Sequence, residues 1–427
     1  MPAFLTAAEA ARRLGVKPAT VYAYVSRGTL TRTRGADGRG SRFDADEIER
    51  LARRGRPRRP PGTIDITVES AITEITGDRL RYRGLDVIEL ASTRAFEDIA
   101  ALLWTGALPP ASRAGATGRP GYPAWLAPAA ALAVGRAAQS ALPPRTLPLE
   151  RLQVIVPAMA ATDQLRLHLD RPAVVAAARS IVAGMVDCLP APSAQAARFT
   201  PAALAADADT DTDADAAPVA ERLWARLCPR APSRAMLRAL SAALVLLADH
   251  ELAASTLAAR AAASARADPY AVVATGLGAV SGTLHGGASL GVETLLSAAT
   301  GPADAPRVVG DLLRRGERVP GFGHLIYRSA DPRGQLLFDL VRRAAPKSRK
   351  LAIADAILGE VRRRSLPEPN IDFAVATLAT SCGMVRGAGE AIFAVARTAG
   401  WIAHALEAYE TGVLLRPRAA YTGRVFG

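Results

Sequence analysis

The sequence predicts a mainly α-helical protein with a small, separate N-terminal unit. Three observations predict it. The chain of 427 residues is 50% hydrophobic and only 5% aromatic, and its apolar half is chiefly Ala, Leu and Val, which favours helix over strand. From residue 64 onward, Ala-Leu-Val segments alternate with Pro and Gly breaks. The formal charge of +13 is uneven, because residues 1–60 hold fourteen Lys and Arg against six Asp and Glu, a net of +8. At about 100–200 residues per domain, the length allows about two to four domains.

The first elements are short. Thr6-Ala7-Ala8-Glu9 has capping-box spacing and starts a helix. Ala10, Ala11 and Leu14 form its apolar stripe, and Gly15 ends it. Pro18 suits the first turn of a second helix, with Val21, Tyr24 and Val25 on one face and Gly28 closing it. The Gly- and Arg-rich stretch Thr31–Arg42 suits a β-wing. Asp44-Ala45-Asp46-Glu47 is a second capping box, opening a helix through Ile48 and Leu51. Two helices about a tight turn, a wing and a helix describe a winged helix-turn-helix over residues 1–55. The prolines of Arg56–Gly62 (RPRRPPG) cannot continue a helix, so residues 56–63 are a linker. Concentrated basic charge is the electrostatic footprint of nucleic-acid binding. The segment AAEAARRLGVKPATVYAYVSRGTL resembles the MerR and excisionase type of this module. That resemblance implies that Lys17, Thr20, Tyr22 and Arg27 face duplex DNA. It also implies that Arg32, Arg34, Arg39 and Arg42 touch phosphate, which supplies affinity rather than sequence reading.

In residues 64–427 the only strand-like stretch is Ile64–Ile75. Residues 190–218 form a divergent loop, with Asp at 207, 209, 211, 213 and 215 and no apolar period. They lack the Gly and terminal Glu of an EF-hand and read as a solvated surface loop. Cys188, Cys228 and Cys382 are odd in number and have no metal-like spacing, which excludes a disulfide framework and a zinc module and fits a reducing cytoplasm. The opening MPAFLTAAEAARR lacks the pattern of a secretory signal. No apolar run reaches the roughly 18 residues of a membrane helix; the candidate Ala391–Leu406 is broken by Arg397 and His404.

Three histidines stand in polar or Gly-rich company: Asp249-His250-Glu251, Leu284-His285-Gly286-Gly287 and Gly321-Phe322-Gly323-His324. Glycine there permits close approach of backbone to a ligand. A carboxylate follows in Pro369-Asn370-Ile371-Asp372, and Arg328, Arg333, Arg397 and Arg416 lie near these motifs in sequence. Guanidinium groups bind carboxylates bidentately, neutral histidine donates to a carbonyl, and aspartate can abstract a proton. The set suits an anionic, multiply carboxylated substrate.

In order, DHELAASTLAAR, GTLHGGAS, PGFGHLIYRSADPR, PNIDF and ARTAGWIAHALEAYETGVLLRPRAAYTG resemble the citrate synthase family, as does the opening ITEITGDRLRYRGLDVIELASTRAFEDIAALLWTGALP. The resemblance covers nearly all of residues 64–427. It implies citrate synthase-like, all-helical large and small domains, the small one at about 270–378, and a homodimer. It implies condensation of acetyl-CoA with oxaloacetate and water to citrate and CoA. No metal or prosthetic group is implied; the coenzyme A thioester is a substrate. Asp372 is then the base, His285 the donor to the thioester oxygen, and His324 the group polarising the ketone of oxaloacetate. Preorganised donors of this kind are worth about 3–4 kcal/mol each. His250, Arg333 and Arg397 would hold oxaloacetate, Arg416 would reach it from the neighbouring subunit, and Arg328 would contact coenzyme A.

The chain departs from the family pattern at Ala253, Ser289-Leu290, Leu325, Ser365 and Ala374-Val375-Ala376. Every implied catalytic and carboxylate-binding residue is present, so the departures alter the supporting shell. A propionyl-CoA substrate, giving 2-methylcitrate, differs by one methylene, worth about 1–3 kcal/mol, and these motifs do not separate the two. A second class is also open: a DNA-binding regulator that senses a carboxylate or acyl-CoA metabolite.

Overall fold

The computed structural model describes residues 4–14, 18–26, 30–34, 41–45, 47–48, 68–110, 125–192, 217–283, 285–327 and 330–419. The chain divides into two compact units, Met1–Glu69 and Ser70–Gly427.

In the first unit, β1 (Phe4–Thr6) leads into α1 (Ala7–Leu14). The junction is the expected capping box: the Thr6 N–H and hydroxyl each donate to Glu9 at 2.8 Å, and the Glu9 N–H donates to Thr6 Oγ1 at 3.3 Å. Next come α2 (Pro18–Ser26), β2 (Thr33–Arg34) and β3 (Ser41–Asp44). The sheet is antiparallel in the order β1-β3-β2, with Leu5 opposite Phe43 and Thr33 opposite Arg42. Strand β1 has no local signal in the sequence; it forms because β3 offers Phe4–Thr6 a pairing edge. Of the second expected capping box one half is seen: Glu47 N–H donates to Asp44 Oδ1 at 3.1 Å, while the Glu47 carboxylate accepts from the Thr31 N–H and hydroxyl at 2.9 and 3.2 Å. Ala10, Ala11, Val21, Leu30, Phe43 and Ile48 make the core, with Leu14, Tyr24 and Val25 against it. Gly15, Lys17, Arg27, Gly28, Arg39 and Leu51 lie outside the described residues.

The second unit corrects the expected strand at Ile64–Ile75. Strand β4 (Thr73–Thr76) turns into β5 (Arg79–Tyr82), and β6 (Leu85–Asp86) completes an antiparallel sheet. Thr76 pairs with Arg79, so Gly77-Asp78 is a two-residue loop, and Gly77 takes a φ of +62°. Glycine in that position is the hairpin signal the sequence carried. Residues 64–67 lie outside the described residues.

Among the described residues, every regular element after β6 is a helix. The order is α3 (Val87–Thr93), α4 (Phe96–Thr105), α5 (Ala129–Ser140), α6 (Pro148–Ala160) and α7 (Arg171–Asp187). Then come α8 (Val219–Leu227), α9 (Arg234–Leu247), α10 (Ala254–Ser264) and α11 (Pro269–Val280). They are followed by α12 (Ala288–Ala298), α13 (Ala305–Arg314), α14 (Pro332–Ala344), α15 (Arg349–Arg363), α16 (Ile371–Cys382) and α17 (Ala388–Thr411). The run Ala391–Leu406 is the middle of α17 and is buried throughout, Arg397 and His404 included. A helix apolar on all sides must be enclosed, and α17 packs against α4, α6, α7, α9, α10 and α11. No helix among the described residues is long and apolar enough to cross a membrane. Cys188, Cys228 and Cys382 are free and buried. Most of the Asp-rich loop, residues 193–216, lies outside the described residues.

Helix α14 reaches α16 through a glycine. A Cβ at Gly334 would stand 2.8 Å from the carbonyl carbon and oxygen of Asn370, where backbone cannot yield. Gly359 in α15 faces open space. In chemical denaturation, Gly334→Ala is expected to lose about 1–3 kcal/mol by overpacking. Gly359→Ala is expected to gain about 0.4–1 kcal/mol by restricting the unfolded chain. Equal stability of Gly334→Ala and the parent protein would contradict the close seat of α14 on Asn370.

Candidate active site

The loop that carries His324 and the loop that leads into α16, the helix carrying Asp372, are bonded edge to edge. Gly323 N–H donates to Glu368 O at 2.8 Å, Asn370 N–H to Gly321 O at 2.9 Å, and Asn370 Nδ2 to Gly323 O at 2.9 Å. Asn370 Oδ1 caps α16, accepting from the Asp372 and Phe373 N–H groups at 3.0 and 3.4 Å. Gly321 has a φ of +80°, and a Cβ there would meet Val292 Cγ2 at 2.6 Å and Phe373 Cβ at 2.9 Å. A Cβ at Gly286 would meet Val280 O at 2.6 Å. At both positions glycine lets the chain approach itself, which corrects the expectation that it makes room for a ligand.

The hydrogen bonds assign the histidine tautomers. His324 Nδ1 accepts from the N–H groups of Ile326 and Tyr327 at 3.0 and 3.3 Å, so its proton is on Nε2. Trp401 Nε1 donates to Ser255 Oγ at 3.2 Å. The Ser255 N–H donates to His285 Nε2 at 3.4 Å, so that nitrogen is an acceptor, and the Ser255 hydroxyl, 2.7 Å away, donates to it as well. That leaves the His285 proton on Nδ1. Burial first, and then Arg397, lowers the His285 pKa to about 4. Burial, then Arg333 against an opposing Asp331, lowers His324 to about 4. His250 is held well below the usual range by burial, Arg333 and Arg397. At neutral pH all three rings are uncharged, and His285 and His324 each keep one N–H free to donate.

The rings and cations converge. His250 lies 5.3 Å from His324 between ring centroids, and its Nε2 is 3.0 Å from the Tyr327 hydroxyl. Arg333 lies over Tyr327 at 5.5 Å. Arg397 lies over Phe393 at 4.6 Å, and the Phe393 ring is 5.5 Å from His285. Asp331 accepts from Arg333 Nε at 2.9 Å and Nη2 at 2.8 Å, and from Ile371 N–H at 3.0 Å. Arg397 is 1% exposed and gives Nε–H to Leu247 O at 2.7 Å, while its Nη1 has no hydrogen-bond partner. An orphaned buried guanidinium nitrogen asks for an anion. Burial pushes the Asp372 carboxyl up to about 7, Arg333 and Arg397 pulling it down and Asp331 pushing it up. Its carboxylate has no hydrogen-bond partner among the described residues and is free to take a proton. Among the described residues no three His, Cys, Asp or Glu side chains come together as a metal-binding group.

Of the residues singled out in the sequence, His250, His285, His324, Asp372, Arg333 and Arg397 meet here. Arg416 is exposed on the segment after α17 and makes none of these contacts, and Arg328 lies outside the described residues. Sequence reasoning missed Ser255, Trp401, Tyr327 and Asp331. All four stand inside the quoted motifs, and only their partners reveal them. In the N-terminal unit Tyr22 is 42% exposed, its ring edge on Phe43 at 6.2 Å and its hydroxyl 3.4 Å from Ser41 Oγ. Thr20 is half-buried, while Arg32 and Arg42 are exposed.

The fold and this site have known counterparts. Residues 64–418 match the family model described as citrate synthase, C-terminal domain, and residues 4–56 match a helix-turn-helix domain. A citrate synthase of Haloferax volcanii is 34% identical over 369 residues, 84% of this chain and 94% of the relative. Citrate synthase 2 of Bacillus subtilis is 36% identical over 212 residues, 48% of this chain and 56% of the relative. The crystal structure of citrate synthase from Pyrobaculum aerophilum is similar with a TM-score of 0.66 and 26% identity, covering 93% of this chain and 95% of that one. With the family model spanning most of its length, this chain belongs to the citrate synthase family.

Proposed function

We propose that the protein condenses acetyl-CoA with oxaloacetate and water, giving citrate and CoA. The observation that carries this is one buried cluster. It combines a carboxyl group poised at about 7, two neutral histidines each with a defined N–H, and two buried guanidinium groups, one with an unpaired nitrogen. A thioester methyl is a weak carbon acid. Asp372 takes its proton while His285 Nδ1–H donates to the thioester oxygen as charge gathers there. His324 Nε2–H polarises the ketone of oxaloacetate. Arg397, Arg333 and His250 hold the carboxylates. Neutral histidines suit this work, because each donates a hydrogen bond without adding a charge. The new carbon–carbon bond gives a citryl thioester, and its hydrolysis releases CoA. Arg328 would contact the coenzyme. In a homodimer, Arg416 would complete the neighbouring subunit's site, which agrees with its exposure in the single chain. The segment from about 270 to 378 would move as a small domain, with the rest of 64–427 as the large one. Propionyl-CoA remains an alternative donor.

A second reading concerns residues 1–55. The helix-turn-helix match and the +8 balance of residues 1–60 support duplex DNA binding by the same protein. Lys17, Thr20, Tyr22 and Arg27 would face the duplex, with the wing arginines on phosphate. The same protein would then join metabolite binding to DNA.

Three outcomes are expected. Asp372→Asn should lower CoA release by about 10²-fold or more with an unchanged circular dichroism spectrum; near-normal release would remove Asp372 from the role of base. For the parent protein, kcat/KM should fall about tenfold per unit as pH drops below about 7, because protonated Asp372 cannot accept a proton. His285 and His324, at about 4, stay neutral and add no second limb down to about pH 5. A flat profile from pH 5 to 8 would contradict this. Fluorescence anisotropy with duplex DNA should show binding that weakens steeply as salt rises; no binding at low salt would end the DNA reading.

A further inference from the structure

Two carboxylates flank His250, and the reaction above uses neither. Asp249 Oδ2 accepts from Thr73 Oγ1 at 2.5 Å and lies 3.3 Å from His404 Nε2. His404 Nδ1 faces Arg260 Nη1 at 3.0 Å. Arginine can only donate, so the His404 proton is on Nε2 and is given to Asp249. On the other side of His250, Glu251 Oε1 accepts the Ile75 N–H at 3.2 Å. Thr73 and Ile75 are alternate residues of β4. Tyr82, on β5, adds a third anchor: its hydroxyl is 3.0 Å from Asp249 O and accepts the Asp249 N–H at 3.1 Å. One short hairpin thus grips the residue before His250 and the residue after it.

The grip holds backbone where it would not rest. Glu251 has a φ of +50°, in the left-handed region that a residue with a Cβ avoids. Glycine would take that conformation without strain. A glutamate there makes sense if its carboxylate is needed, and the bond it makes is to Ile75. The ring it helps to orient stands 5.3 Å from His324 and places Nε2 against Tyr327.

We infer that the β4–β5 hairpin is a positioning platform for His250, acting through Asp249 and Glu251. The inference rests on the reading that His250 binds the keto diacid. The hairpin residues touch no reacting atom; they fix the direction of a ring that does. Misdirecting that ring weakens binding equally in ground state and transition state, so the loss appears in KM for oxaloacetate and not in kcat.

The test uses the full-length protein with Glu251→Gly and Glu251→Gln. Steady-state assays are paired with calorimetric titration of oxaloacetate and thermal unfolding. Glu251→Gly removes the carboxylate and the strain together. It is expected to fold at least as well as the parent, raise KM and Kd for oxaloacetate about tenfold, and leave kcat and KM for acetyl-CoA within about twofold. Glu251→Gln keeps an oxygen that can accept from Ile75 and is expected to restore oxaloacetate affinity to within about twofold. Thr73→Val loosens the grip from the Asp249 side and should give the same split, whether or not the Glu251 variants fold. Oxaloacetate affinity unchanged in Glu251→Gly and Thr73→Val would overturn the inference. So would Gln as impaired as Gly, or KM rising equally for both substrates. Failure of the parent protein itself to bind oxaloacetate would instead overturn the reading of the site.

Discussion

Asp331 is the group on which the site's architecture turns. Its two oxygens take four N–H donors: the Arg333 N–H and Nε on Oδ1, and Arg333 Nη2 and the Ile371 N–H on Oδ2. One carboxylate thereby starts α14, orients a buried guanidinium, and holds the first residue of α16, the helix that carries Asp372. A buried ion pair is favourable only when its remaining donors and acceptors are satisfied, and breaking one by removing a partner costs about 3–5 kcal/mol. The arrangement meets that condition, since the pair is nearly inaccessible and Asp331 leaves no oxygen unfilled. Gly334 follows from the same constraint, because a helix begun at Asp331 and tied to Ile371 must run against Asn370.

Burial that makes this pair costly also sets the protonation of the reactive groups. His250, His285 and His324 are kept neutral by the low polarity of the interior and the nearby guanidinium groups. The same burial moves Asp372 in the opposite chemical direction, toward holding a proton. Acid–base partners with well separated proton affinities arise from one environment acting on cationic and anionic acids alike. The unpaired Nη1 of Arg397 is the counterpart on the binding side. It has no hydrogen-bond partner among the described residues, and the proposed reaction pairs it with a substrate carboxylate.

The departures from the family pattern lie where they disturb this least. Leu325 is 95% exposed, and His324 keeps its orientation from the backbone of Ile326 and Tyr327. Ala374, Val375 and Ala376 are core residues of α16. Ala253 starts α10 without a side-chain cap, while Ser255, two residues on, still holds His285. Ser289 is buried with its hydroxyl 3.3 Å from Gly286 O. Ser365 has a φ of +52°, and nothing in the structure explains a serine there.

The sequence by itself determined the helical class, the N-terminal unit with its Thr6–Glu9 capping box and Asp44 cap, and the identities of the three histidines, Asp372, Arg333 and Arg397. These are local or motif properties: a capping box closes within four residues, and a functional side chain keeps its neighbours in the chain. The β4–β5 hairpin was also locally encoded, by Gly77-Asp78 between alternating segments. Tertiary structure alone decided which nitrogen of each histidine carries its proton, because Ser255 is 30 positions from His285 and Trp401 146 from Ser255. It alone decided that Gly286 and Gly321 serve chain against chain, and that Arg416 stays outside the single chain's site. It also decided that Asp249 and Glu251 are gripped by residues 176 positions away. Protonation, orientation and strain are set by contacts between distant segments and by the dielectric they enclose, and neither exists until the chain has folded.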